Sequence, residues 1–235
     1  MTDSQSTLPK NSWWLAFRVL DKPGTVFAEI AARPRFLVPF LILFVAAPAF
    51  FAVTAPAFLA VTAPDIVVAR ARAILLAVSV IGGPIVIAIV AAVLMLIFNA
   101  MAADRITFKQ EYSVMLHALM PHLFATLLVP VLAIAGIEQL QLSLGFLFSS
   151  DQSSFMYRFA NGITLFGAWS MVLVAKGNQV LSKSSSLGGS LTIVAGLWLL
   201  VKVAAAGLTS LLASLLAGLA ARAVESLDVI SVMGT

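Results

Sequence analysis

A backbone inside a bilayer must satisfy its own hydrogen-bonding groups, so apolar runs of about 20 residues leave a chain few folds beyond a bundle of helices. Runs of that length occur here at 36–60, 74–101, 114–137, 155–175 and 187–220. They predict an all-α, polytopic membrane protein with five transmembrane helices. Composition agrees, with 61% hydrophobic and 10% charged residues, where soluble domains have about 45–50% and about 25%. The fourth run carries Arg158 and Asn161 in its first turns, and crosses only if the guanidinium snorkels to the interface. The fifth exceeds one crossing and is too short for two, which predicts a tilted or projecting helix. Residues 1–12, MTDSQSTLPKNS, lack the apolar core of a signal peptide. The expected organisation is a flexible N-terminus at 1–19, one membrane domain at 20–221 and a short tail at 222–235.

Orientation follows from the basic residues flanking the runs. Lys10, Arg18, Lys22, Arg33, Arg35, Arg105, Lys109, Lys176 and Lys183 fall on one side; Arg70, Arg72, Arg158 and Arg222 fall on the other. The nine-to-four bias predicts a cytoplasmic N-terminus and an outside C-terminus. The net charge of +4 belongs with lipid headgroups, and nucleic acid is not an expected partner. Ahead of the first run, Asp21 and Pro23 can start a short helix that Pro34 stops. Val26, Phe27 and Ile30 give it one apolar side, which predicts an interfacial amphipathic helix in the inner headgroup layer, with Trp13 and Trp14 as anchors. Arg33 and Arg35 then hold the approach to the first run on the cytoplasmic side.

Chemistry is sparse. The chain has no cysteine and no phosphate loop, nucleophile elbow or zinc-protease motif. His117 and His122 are five residues apart, about 140° around a helix, and read as packing or hydrogen-bonding groups. An embedded hydrolase requires Asp104, Glu111, His117 and His122 to share one wet pocket. No enzyme activity, cofactor or metal is expected. Lys202 lies inside the fifth run, where it is either a functional group paired with a carbonyl, Asp104 or Glu138, or a snorkelling residue. Ala206, Ser210, Ser214 and Gly218 form a small-residue face suited to internal packing or to a second copy. Gly82, Gly83 and Pro84 suggest a broken helix of the kind that lines transporter sites. "PAFFAVTA" from Pro48 and "PAFLAVTA" from Pro56, with Pro64 starting a third copy, read as a local duplication at a bent helix end or as a hinge. Residues 138–154 suit a surface helix or a strand equally.

Three segments carry a resemblance. "KPGTVFAEIAARPRFLVPF" has a proline, a short helix with a central phenylalanine, and a second proline before the first run. "TFKQEYSVMLHALMPHLFATLL" places Pro121 in the third. "LFGAWSMVLVAKGNQVLSKSSSLGGSL" follows Trp169 with an apolar stretch, Gly177, Lys183 and Ser184. In order and spacing these resemble the Yip (Ypt-interacting protein) domain family of five-span membrane proteins, over roughly residues 20 to 210. Lys176 stands where the family pattern expects an apolar residue. The chain lacks the long N-terminus and "DLYGP"-like motif of eukaryotic members, and is similar to the compact bacterial form, some of which occur with ABC-type exporters. The resemblance implies the five-span fold but little mechanism; the missing chemistry, the small-residue face and the basic cytoplasmic loops together suggest a non-enzymatic adaptor or organising protein of a bacterial cytoplasmic membrane, contacting lipid and another membrane protein or itself. The alternatives are a small ion or solute transporter or channel, and an accessory subunit of an ABC-type exporter. Candidate interaction residues are Lys202, Lys176, Lys183, Arg33, Arg35, Pro121, Trp169 and Gly177.

Overall fold

Prolines, serines and polar caps set most of the helix boundaries. The computed structural model describes residues 12–48, 66–101, 104–134, 143–148, 154–183 and 185–233. In chain order the helices are α1 (Ser12–Arg18), α2 (Pro23–Ala32), α3 (Leu37–Leu41) with a π-helical turn (Ile42–Ala46), α4 (Ile66–Asn99), α5 (Phe108–Ala118), α6 (Met120–Ile134), a 3-10 helix (Leu144–Phe148), α7 (Phe155–Asn161), α8 (Leu165–Ser182) and α9 (Leu187–Met233). Among the described residues the chain is all-helical, apart from one bridge between Ser143 and Thr164. Two segments are long and apolar enough to cross a bilayer among those residues, Val80–Asn99 in α4 and Leu187–Leu208 in α9.

The helices divide into two units, one drawn from residues 1–140 and 166–195 and the other from 141–165 and 196–235. In the first, α5 is the central element, with every residue from Ser113 to Ala118 buried. It starts with a capping box, in which Thr107 Oγ1 accepts from the Gln110 amide and the Gln110 side chain accepts from the Thr107 amide at 2.9 Å. Pro121 accounts for its end: without an N–H, and with a ring that crowds the carbonyl four residues back, a proline there separates α5 from α6 at Leu119. The third apolar run is therefore two helices, the second of 15 residues. The turn between α4 and α5 is closed by Asn99, whose Nδ2 donates to the Ile106 carbonyl at 2.9 Å while its Oδ1 accepts from the Ile106 amide at 2.6 Å.

Two expectations from the sequence are corrected. The helix between Pro23 and Pro34 forms as expected, but Val26, Phe27 and Ile30 are completely buried against protein. Its apolar side serves the core and leaves no amphipathic face for the headgroup layer. Gly82, Gly83 and Pro84 do not break their helix, since α4 runs uninterrupted for 34 residues through Pro84. Gly83 is a packing site instead. A Cβ there would lie 2.8 Å from Phe44 Cε1, on the π-helical turn, where the Ala47 amide reaches back five residues to the Ile42 carbonyl. Pro48 is the last described residue of its segment, and Pro56 and Pro64 lie outside the described residues.

In the second unit α7 and the 3-10 helix pack together. The fourth apolar run is interrupted there: α7 ends at Asn161, and the Leu144 amide donates to the Ile163 carbonyl at 3.0 Å before α8 begins. Arg158 thus belongs to a separate short helix. The described part of the loop at 138–154 is neither a long surface helix nor a strand, but the 3-10 helix held by that contact; 138–142 and 149–153 lie outside the described residues. The fifth run is one helix of 47 residues, about 70 Å long. It continues beyond the expected domain end at residue 221 to Met233.

Candidate functional site

The chemistry of the first unit concentrates where α2, α5 and α8 meet. Gly177 permits the contact: a Cβ at that position would overlap the Val114 side chain of α5 and lie 3.4 Å from Phe27 Cδ1 of α2. One position further, Asn178 is completely buried and donates through Nδ2 to Glu111 Oε1 at 3.0 Å and to the Val174 carbonyl at 3.1 Å. Glu111 is likewise 0% exposed. It precedes the third apolar run, and burial raises its pKa to about 7 from an ordinary 4.5, against the smaller opposing effect of the Asn178 hydrogen bond. Among the described residues, its Oε2 and the Asn178 Oδ1 find no hydrogen-bond partner. A protonated carboxyl removes the charge such burial penalises most.

The surroundings tie this pair to three helices. Gln110 Nε2 donates to the Ala31 carbonyl at 2.7 Å, supplying a partner to one of the open carbonyls at the end of α2. Lys176 lies with its stem against α2, its Cε 3.8 Å from where a Gly24 Cβ would stand, and its amine donates to Gln179 Oε1 at 2.8 Å. That placement accounts for a lysine where the family pattern expects an apolar residue: methylenes pack while the charged end leaves. His117 Nδ1 bonds the Ser113 carbonyl at 2.8 Å within α5.

Of the residues singled out in the sequence, Gly177 and Lys176 are at this junction, and Pro121 is buried just after α5. Arg33 is exposed at the end of α2, and Arg35 pairs with Glu29 at 3.5 Å. Trp169 points outward at 39% exposure. Lys183 occupies the left-handed position that ends α8, with φ 55°, and pairs with Asp104 at 2.8 Å. Beyond it Ser185 links Ser182 at 2.6 Å to Ser190 at 2.7 Å, joining the end of α8 to the first turn of α9, while Ser184 lies outside the described residues. Lys202 belongs to the second unit. Asp104, Glu111 and His117 have separate partners, and the described residues contain no group of three acidic, histidine or cysteine side chains suited to a metal. Asn178 was not legible as a site residue, although an amide directly after a glycine in an apolar helix is a signal of close polar packing.

The Asp104–Lys183 pair is exposed on both sides. Each partner favours the other's charged form, lowering the aspartate pKa and raising that of the lysine. Exposed pairs contribute little. Asp104→Asn is expected to leave the thermal midpoint in detergent unchanged within error, and a drop of several degrees would show that the pair anchors the α4–α5 turn.

These features sit in the stretches whose order resembled a known family, and the comparison with family models decides the matter. The Yip1 domain matches residues 17–221, from within α1 to within α9. The chain belongs to the Yip1 domain family. No curated protein and no solved structure matches it. As a Yip1 domain protein with long apolar helices it is a membrane protein, of a family not known for enzymes. The α2–α5–α8 junction, with Glu111 and Asn178 at its centre, lies wholly inside the Yip1 match.

Proposed function

We propose that this Yip1 domain protein crosses the bacterial cytoplasmic membrane five times, N-terminus inside and C-terminus outside, as one domain over residues 20–221, and acts there as a non-enzymatic adaptor or organising component. The observation that carries this is the contrast between the α2–α5–α8 junction and the surface. Glu111, Asn178 and the glycine-tight contact are internal. What faces outward is apolar helix surface, Ile81, Ile85, Ile89 and Leu96 on α4 among it, and the exposed basic side chains Lys22, Arg33, Arg105 and Lys109. Apolar helix faces meet lipid or another membrane helix, and basic residues at the cytoplasmic ends meet anionic headgroups or an acidic partner. The small-residue face offers a second contact, with Ser214 and Gly218 exposed and Ala206 buried.

The transporter alternative loses one of its supports, because α4 is continuous through Pro84. Affinity purification from native expression in mild detergent is the test. A reproducible membrane partner or self-association is the expected result, and recovery of the chain alone in repeated preparations would count decisively against an adaptor.

A further inference from the structure

Three aromatic rings and a lysine meet at one corner of the first unit. Phe108 and Tyr112, one turn apart on α5, have ring centroids 5.6 Å apart and planes 16° from parallel, and Phe36, the residue before α3, meets Tyr112 edge-on at 5.8 Å. The Lys109 amine stands 6.0 Å from the centroid of the Phe36 ring. Thr107 caps the helix that carries three of these four residues, so their spacing is held by the start of α5. The corner is open: Phe108 is 43% exposed and Lys109 is exposed, while Phe36 and Tyr112 are half-buried. Lys109 has no acidic partner among the described residues. An aromatic face within about 6 Å supplies part of the attraction that a carboxylate would, and leaves the amine free to bond a further anion.

Asn99 sets the level of this corner. It is the last residue of the apolar segment Val80–Asn99, and its side chain holds Ile106 by two hydrogen bonds, so Phe108 begins α5 two residues from the point where that segment ends. Where an apolar helix leaves the hydrocarbon, aromatic and lysine side chains meet phosphate, glycerol and the first acyl carbons together. We infer that the Lys109 amine binds the phosphate of an anionic phospholipid, whose glycerol and upper acyl carbons lie against the exposed Phe108 ring. Tyr112 and Phe36 position the two groups, one stacked on Phe108 and the other under the amine. A phospholipid answers the charge and the ring together, whereas an acidic soluble segment answers the charge alone. The site rests on the reading of α4 as a membrane-crossing helix in the proposed function.

Native mass spectrometry of the full chain in mild detergent, with equimolar phosphatidylglycerol and phosphatidylcholine, tests the site. Phosphatidylglycerol should be retained preferentially; Lys109→Met should reduce that preference about fivefold, on the scale of one basic residue near an anionic lipid, and Lys109→Arg should keep it. Lys22 precedes α2, whose other end meets Gln110, so Lys22→Met removes an equal charge away from the rings and should cost the preference less. Phe108→Ala should lower retention of both lipids and leave their ratio unchanged. Equal retention of the two lipids by the unaltered chain overturns the proposal, and a co-purifying protein lost on Lys109→Met in that case assigns the amine to an acidic partner. A preference that survives Lys109→Met, or falls as far with Lys22→Met, overturns it too, and retention unchanged in Phe108→Ala overturns the ring contact. Displacement of the lipid by millimolar inorganic phosphate overturns it in favour of a free-anion site. Because the chain has no cysteine, Arg105→Cys carries a single nitroxide label, whose relaxation by oxygen and by a water-soluble nickel complex reports its depth in phosphatidylglycerol vesicles. The headgroup level is expected. A label in bulk water or at the bilayer centre defeats the placement of α4, whereas a label at the headgroups with no lipid preference defeats this inference alone.

Discussion

Gly177→Ala destabilises the protein by about 1–3 kcal/mol, the usual range for overpacking a filled core, although alanine is the better helix former by about 1 kcal/mol. The reason lies in what the new methyl meets. A Cβ at 177 would overlap Val114, which is completely buried, β-branched and stiff about χ1, and would itself lie 3.4 Å from Cδ1 of the equally buried Phe27. Neither neighbour has room to yield, so α8 must move away from α5 and stretch the Asn178–Glu111 hydrogen bond with it. Gly177→Leu is expected to abolish recovery of folded protein. Val114→Ala removes the overlapping methyls, so the double variant Gly177→Ala/Val114→Ala should lose less than the two single losses added together. Thermal unfolding of the detergent-solubilised variants, followed by circular dichroism, measures this. Strict additivity would show that the two residues do not meet.

The second large effect concerns pH. Glu111 has a folded pKa raised to about 7 against 4.5 in the unfolded chain. Between those values the folded state holds a proton that the unfolded state has released. Stability from this group is therefore complete below about pH 4.5 and declines as pH rises toward about 7, by roughly 3 kcal/mol over the window. Glu111→Gln keeps an acceptor for Asn178 Nδ2 without an ionisable group, and should flatten that slope and raise the thermal midpoint at pH 8 relative to the unaltered chain. Glu111→Leu deprives Asn178 of that acceptor inside the core and should be the less stable of the two. Midpoints measured from pH 4.5 to 8 decide it: a glutamine variant with the same slope as the unaltered chain excludes Glu111 as its source. Asp104 gives the opposite sign, since its lowered pKa loses stability only as pH falls.

Glu111 also shows where sequence reading reached its limit. It was legible as one of four groups that might converge, and convergence is a tertiary property that spacing along one helix does not encode. Its actual partner is 67 residues away on α8. Lys176 shows the same limit from the other side: its amine finds Gln179 one turn along α8, but the resting place of its stem depends on Gly24, in a different helix.

Helix boundaries in this chain follow largely from local chemistry. Pro23 and Pro34 bracket α2 because a proline suits a first turn and restricts the residue before it. Apolar run length predicts helices, and the Yip1 domain match covers residues 17–221. Pro121 and Pro84 mark the boundary of what such rules can say. Both are prolines in apolar stretches, yet one lies at a helix junction and the other inside a helix that continues. The difference lies in the neighbours: α5 ends inside a packed core, and α4 carries a glycine beside Pro84 that receives the Phe44 ring.

The sequence by itself determined the class of molecule, an all-helical membrane protein of the Yip1 domain family, because apolar run length and helix-end chemistry are local properties of the chain. Only the tertiary structure decided that α2 turns its apolar side into the core, that Gly177 sets how closely α8 meets α5, and that Glu111 is buried against Asn178. Those depend on which helix faces come within a methyl group of one another, and that distance is fixed by packing between residues far apart in sequence.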